Sequence, residues 1–227
     1  MANVGNRVRL TIDRPTPELI ARFREASPPD LADAMNKSGA MRDLFPVYAP
    51  MPKCVGPAVT VKLPAGGSSL ILKAMELAQA GDVLVVDGRG AVSASLWGGN
   101  RSLFAAQKKL AGVIVDGGMR DVAETRELAL PVFARAICPM AGATAGPGEV
   151  NYPVACGGVV VNPGDLVVAD AEGIVVIPRG DADDVYAAWR KIVEREVAWR
   201  ADSAAGRQVG GVDVDQRLRE AGTEIHP

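Results

Sequence analysis

The chain has 227 residues, with 25 Lys+Arg against 27 Asp+Glu, a single His and 48% hydrophobic residues. The near-balanced charge leaves no electrostatic footprint for nucleic acid or an anionic membrane, and the apolar content suits a packed core rather than disorder. No run approaches the ~18 apolar residues of a membrane-spanning helix, and MANVGNRVRLTIDRP lacks the apolar stretch of a secretory signal. The expectation is one domain, 1–227, in the cytoplasm.

Cys54, Cys138 and Cys156 are far apart, and no CxxC occurs. They are expected to be small buried hydrophobes in a reducing compartment. The lone His226 excludes His-dependent triads and His-rich zinc sites. A bound metal would then take oxygen ligands, which points to Mg²⁺ or Mn²⁺. Acid–base chemistry falls to carboxylates, Lys, Tyr, Arg or metal-bound water.

In chain order, Thr16-Pro17-Glu18 predicts a helix start, with a capping hydroxyl followed by Pro. A second short helix is expected over 30–37, stopped by Gly39. The alternation in 55–63 predicts a strand, and Ser68 or Ser69 is expected to open a helix through Ala80 that Gly81 ends. DVLVVD at 82–87 has the β-branched texture of a buried strand and leads into Gly88, Gly90, Gly98 and Gly99. A helix over 100–110, a strand at 113–116, a helix over 122–128 and a strand at 132–134 complete a βαβαβ alternation.

Beyond Pro139 the texture changes. Residues 141–150 predict a loop, and 159–161, 166–169 and 174–177 predict an antiparallel meander. GDVLVVDGRGAV at 81–92 echoes GDLVVADAEGIVV at 164–176, which implies at least a shared Gly-Asp turn before each strand. A long helix is expected over 181–200, and a polar, Gly-rich tail over 205–227 is expected to be loose or partner-bound.

Ligands of open α/β sheets bind beyond the carboxyl ends of strands. Two such ends are unusual here. Leu96-Trp97-Gly98-Gly99-Asn100-Arg101 precedes a helix, whose free amides favour a carboxylate or phosphate; the plainer reading is a tight turn that needs positive φ. Asp116-Gly117-Gly118-Met119-Arg120-Asp121 sets a guanidinium that can grip a carboxylate beside a carboxylate that can hold Mg²⁺. The plainer reading there is an N-cap Asp with a surface Arg. Asp121 and Glu124 share a helix face. On the long helix, Val185, Trp189, Ile192, Val193 and Val197 form an apolar arc with Glu196 near its centre and Arg200 one turn on. Either Glu196 pairs with Arg200, or it is delivered into a site, including that of another subunit.

Gly99, twenty intervening residues and then Arg120-Asp121-Val122-Ala123-Glu124 form the pattern G-x20-R-D-x2-[ED]. With GDVLVVDG at 81–88, LWGGN at 96–100, GVIVDGGMRD at 112–121, PVFAR at 131–135 and NPGDLVVADAEGIVVIP at 162–178, it resembles the class II pyruvate aldolases acting on 4-hydroxy-4-methyl-2-oxoglutarate and 4-carboxy-4-hydroxy-2-oxoadipate. Their superfamily also contains the RraA-like regulators of ribonuclease activity.

The resemblance implies a single-domain α/β fold of the swivelling α/β/β type with a long C-terminal helix. It implies a homotrimer or homohexamer with sites between subunits. It makes Asp121 the metal ligand (Mg²⁺, or Mn²⁺), Arg120 the group that binds the pyruvyl unit and its enolate, and Gly98, Gly99, Asn100 and Arg101 the loop whose amides hold the carboxylate. Glu196 corresponds to a glutamate that positions water from a neighbouring subunit. The implied reaction is divalent-metal-dependent cleavage of a 4-hydroxy-2-oxo acid to pyruvate, with side decarboxylation of oxaloacetate. One departure stands out: Gly99 occupies a position where such aldolases can carry an acid. The alternatives are a Schiff-base aldolase using Lys62 or Lys73, a lyase for another 2-oxo acid, and a non-catalytic RraA-like regulator that binds ribonuclease E.

Overall fold

In the computed structural model, which describes residues 3–226, a nine-stranded mixed sheet organises the chain. In chain order the elements are β1 (Asn6–Val8), α1 (Pro17–Arg22), α2 (Pro28–Ala34), β2 (Phe45–Pro46), β3 (Cys54–Lys62), α3 (Ile71–Leu77), β4 (Val83–Trp97), α4 (Gly99–Gln107), β5 (Gly112–Met119), α5 (Val122–Glu127), β6 (Val132–Ile137), β7 (Gly148–Val150), β8 (Val154–Cys156), β9 (Val159–Val161), β10 (Leu166–Asp170), β11 (Gly173–Ile177), α6 (Ala182–Ala204) and α7 (Val214–Glu220). The α/β class and the long C-terminal helix match the sequence expectation. Strands β3, β4, β5 and β6 run parallel, joined by the crossovers through α3, α4 and α5.

The chain layers itself by burying three apolar faces. One sheet face, with Val59, Val61, Leu84, Val86, Val113 and Val115, packs on α3 and α4. The opposite face, with Val83, Val85, Ile114 and Phe133, packs on β8–β9 and on one side of β10–β11. The outer side of β10–β11 is covered by α1, α2 and α6 through Phe23, Leu31, Val185 and Trp189. That α/β/β layering is the predicted one, with a further helical layer outside.

Several expectations are corrected. α2 starts two residues earlier than expected, because Ser27 caps it and Pro28 takes its first position. It ends at Ala34, and Asn36 and Lys37 have positive φ. Ser68 and Ser69 do not open α3. Their hydroxyls donate instead to the carbonyls of Ala143 and Gly146, so α3 begins only at Ile71. β4 continues past Asp87 through the glycine-rich stretch to Trp97, following β5 by three successive register shifts. The 141–150 segment is not all loop: β7 pairs with β1 and β3. The meander is only partly as expected, because β9 pairs with β8 while β10 pairs with β11 and with β3. After Ala204 the chain forms α7, capped by Asp213 and buried nowhere.

Two of the cysteines, Cys54 and Cys156, are buried, and Cys138 is half-buried. Burial pushes the Cys54 thiol up to about 12. Among the described residues, no helix is long and apolar enough to cross a membrane.

Candidate active site

The ends of β4 and β5 lie side by side, with Trp97 opposite Met119. Each then turns into a helix, so the start of α4 faces the start of α5. The backbone N–H of Arg120 donates to the Trp97 carbonyl at 3.0 Å, which holds the two turns together. Between them opens a cleft of about 280 Å³ lined by Gly98, Gly99, Asn100, Arg101, Arg120 and Asp121. Gly98 to Arg101 and the Arg120-Asp121 pair therefore converge on one cavity, whereas Leu96, Asp116 to Met119 and Glu124 do not line it.

Asp121 sits in the left-handed region at φ 59°, ψ 45°, a conformation that Asp tolerates better than most side chains. That backbone directs its carboxylate toward α4. Oδ2 accepts the Gly99 N–H at 2.8 Å and lies 3.5 Å from Arg120 Nε. The arrangement is charge-assisted, with a carboxylate at a helix N-terminus and a cation beside it. Arg120 also donates from a terminal nitrogen to the Pro139 carbonyl at 3.4 Å. The two side chains remain 44% and 37% exposed, open to a ligand.

The glycines serve close approach rather than positive φ. Gly98 is extended, at φ −168°, and Gly99 is already helical. A Cβ on Gly98 would stand 2.7 Å from Asp121 Oδ2 and 3.2 Å from Arg120 Cγ. A Cβ on Gly99 would overlap the Glu124 carboxylate. Glu124 thus fills the space where an acidic side chain at position 99 would begin.

Behind the cleft runs a buried polar chain. Trp97 Nε1 donates to Ser102 Oγ at 2.8 Å, Ser102 pairs with Thr125 Oγ1 at 2.9 Å, and Thr125 donates to the Asp121 carbonyl at 3.1 Å. It locks α4 to α5 at the point where both deliver site residues. Ser102→Ala is expected to strand the Trp97 indole N–H and cost about 1–3 kcal/mol, read as a lowered denaturant midpoint.

Sequence reasoning missed the wall formed by Ser68, Leu72, Ser95, Ala141, Gly142 and Thr144. It arises because residues 66–68 and 141–143 bridge to each other and to Ser95. No local pattern announces that pairing. Glu196 is not among the cleft residues. It lies on α6, 31% exposed, with Arg200 at 3.3 Å, so within one chain the structure places it in the pair with Arg200. Lys62 and Lys73, the Schiff-base candidates, lie 3.7 Å from Glu149 and 2.9 Å from Glu76, and neither lines the cleft.

The site's donor set suits a hard divalent cation. Oδ2 of Asp121 is engaged by Gly99, while Oδ1 has no protein donor among the described residues. Glu124 flanks the same glycine. Mg²⁺ is commonly held by one or two carboxylates with water completing its shell. Among the described residues, no group of three or more His, Cys, Asp or Glu is arranged to hold a metal.

A family model described as RraA-like, Aldolase/RraA, matches residues 28–176. The chain belongs to the RraA-like family. A 4-hydroxy-4-methyl-2-oxoglutarate aldolase of Thermus thermophilus is 35% identical over 155 residues, covering 68% of this chain and 94% of that one. A Halalkalibacterium halodurans protein that carries the same name provisionally is 34% identical over 187 residues, covering 82% and 89%. Among solved structures, Streptomyces coelicolor RraAS2, described as an unusual member of the RNase ES inhibitor RraA family, superposes with TM-score 0.72 at 29% identity, covering 82% and 98%. RraA-like relatives thus carry both an aldolase name and an inhibitor name, so the choice between the two rests on the cleft.

Proposed function

We propose that this RraA-like protein cleaves a 4-hydroxy-2-oxo acid, of the 4-hydroxy-4-methyl-2-oxoglutarate or 4-carboxy-4-hydroxy-2-oxoadipate type, to release pyruvate. The observation that carries this is the convergence of Arg120, Asp121 and the start of α4 on one open cleft. An inhibitor acting through its surface needs no such cavity. Asp121 would hold a divalent cation, Mg²⁺ or Mn²⁺, and when bound the cation supplies Lewis-acid polarisation of the 2-oxo group.

The N–H groups of Asn100 and Arg101, at the α4 start, have no acceptor among the described residues and suit the C1 carboxylate. Loss of the 4-hydroxyl proton lets the C3–C4 bond break. Its electron pair moves toward C2 and leaves the enolate of pyruvate, with the second fragment departing as a carbonyl compound. The Arg120 guanidinium borders the space where the enolate oxygen forms, and protonation at C3 completes pyruvate. Oxaloacetate reaches the same enolate by losing CO₂, so slow decarboxylation is an expected side activity.

Glu196 suits the proton acceptor only if another copy brings it, as the homotrimer or homohexamer implied by the resemblance would do. Exposed apolar side chains support that assembly: Leu72 on the cleft rim, Ile137 beside Arg120, Leu103 and Phe104 on α4, and Val197 on α6.

Chelation with EDTA is expected to lower pyruvate release by two to three orders of magnitude, about the loss of one oxyanion-stabilising group. Mg²⁺ or Mn²⁺ should restore it. Borohydride treatment with pyruvate is expected to leave the mass of the chain unchanged; a covalent adduct would establish Schiff-base chemistry instead.

A further inference from the structure

Arg101 supplies the cleft with more than its backbone. Its side chain leaves the first turn of α4 and runs inward along the cavity wall. One terminal nitrogen donates to the Leu96 carbonyl and the other to Ser68 Oγ at 3.1 Å. These bonds fix the plane of the guanidinium. They use two of its five N–H donors, which leaves three.

Among the described residues Arg101 takes part in no ion pair, although Arg120, on the same cleft, has Asp121 beside it. Burial first, and then the positive charge of Arg120, hold the Arg101 guanidinium below its ordinary value. A half-buried cation fixed by neutral acceptors next to a second cation is an arrangement that an anion stabilises.

The charges lining the cleft make this specific. Arg101 and Arg120 line it with two positive charges and Asp121 with one negative, while the Glu124 carboxylate stands behind Gly99, outside the lining. In the reading above, on which this inference rests, the α4 amides hold the C1 carboxylate and Arg120 the developing oxyanion. The guanidinium of Arg101 is then the cleft's remaining cation. The substrates named in that reading carry a second carboxylate, and we infer that the Arg101 side chain is the group that reads it and so sets any preference over 2-oxo monocarboxylates of the same length. A planar fork suits a carboxylate in a way that a lysine ammonium does not.

The competing account is that Arg101 only ties the end of β4 to the Ser68 loop. The two separate on a pair of uncleavable probes, 2-oxoglutarate and 2-oxopentanoate, which share a five-carbon chain and differ in the terminal carboxylate. Binding is measured by calorimetry on the full chain with saturating Mg²⁺. The wild type should bind 2-oxoglutarate at least tenfold more tightly. Arg101→Met should erase that preference, bringing the ratio of the two affinities to about one whatever loss the broken ties to Leu96 and Ser68 impose on both probes alike. Arg101→Lys should retain part of the preference, and it carries the test if the Met variant fails to fold.

Parallel weakening of both probes that leaves their ratio unchanged would overturn the inference and leave Arg101 a structural tie. A wild type that binds the two equally, or binds neither, would overturn it as well. The aldolase reading fails on a different result: no pyruvate from any 4-hydroxy-2-oxo acid while the dicarboxylate preference persists.

Discussion

Arg120→Ala is expected to lower pyruvate release by about 10²- to 10³-fold at saturating divalent cation, with the loss mainly in kcat. The magnitude is that of removing one preorganised oxyanion donor, about 2.7–4 kcal/mol. It should appear in kcat because the guanidinium meets its full charge partner only as the enolate forms, whereas the C1 carboxylate in the ground state rests on the α4 amides. Arg120→Lys is expected to recover little, since an ammonium cannot reproduce the fork held between Asp121 and the Pro139 carbonyl.

Asp121→Asn separates a second contribution. Asn tolerates the left-handed backbone and can still accept the Gly99 N–H, so the turn should survive. What it lacks is the anionic charge. The expected outcome is a weakened cation affinity, readable directly as Mn²⁺ binding without turnover, with activity falling in step. Both side chains are open to solvent, so neither substitution should move thermal stability by more than about 0.5 kcal/mol. Full turnover in both variants would remove the aldolase reading.

The site was legible to the extent that it is local. Gly98 to Arg101 and the Arg120–Asp121 pair each lie within one strand-to-helix turn, and two parallel strands side by side bring such turns together. The reason for the glycines was not legible. A turn demanding positive φ and a helix start packed against a carboxylate look alike in sequence, and only the approach of Asp121 and Glu124 separates them. Nor could sequence place the wall from residues 66–68 and 141–143, whose backbones bridge across more than seventy positions. Ser68 looked like a helix cap because its hydroxyl precedes an apolar periodic run; it is used instead to hold Ala143 and Arg101.

Strand boundaries failed for a related reason. Residues 88–95 are Gly, Ala, Ser, Val and Arg with no alternation, yet they stay extended because β5 continues beside them. Glu196 illustrates the limit of helical pattern. Its place on an apolar arc is real, but the arc does not say whether Arg200 or another copy of the chain meets it.

The Gly-Asp echo resolves into a local device, and it sets up the largest expected effect on stability. Gly81 and Gly164 have φ of +87° and +88°. Each is followed by a buried Asp whose carboxylate accepts the backbone N–H three residues earlier: Asp82 from Gln79 at 2.7 Å, Asp165 from Asn162 at 2.8 Å. Each carboxylate also takes an arginine. The Arg14 side chain binds Asp82 at 2.9 and 2.7 Å, and the Arg179 backbone N–H binds Asp165 at 3.0 Å. The strands that follow are used differently, since β4 runs parallel to β3 and β10 antiparallel to it. The echo is therefore a shared turn chemistry rather than a repeated unit.

The two glycines differ in surroundings. An added Cβ at Gly81 meets nothing within 4 Å, while one at Gly164 would collide with the Asp13 carbonyl, a backbone atom that no rotamer change can move aside. Gly81→Ala should therefore cost only the left-handed strain, about 1–2 kcal/mol. Gly164→Ala should add an overpacking cost of about 1–3 kcal/mol, for about 2–5 kcal/mol in total. At about 2–4 °C per kcal/mol for a chain of this size, that is a fall in Tm of roughly 4–20 °C for Gly164→Ala, against roughly 2–8 °C for Gly81→Ala. Because φ is the same at both sites, the difference between the variants isolates the Asp13 contact. Equal losses would mean that backbone strain alone makes glycine necessary at both turns.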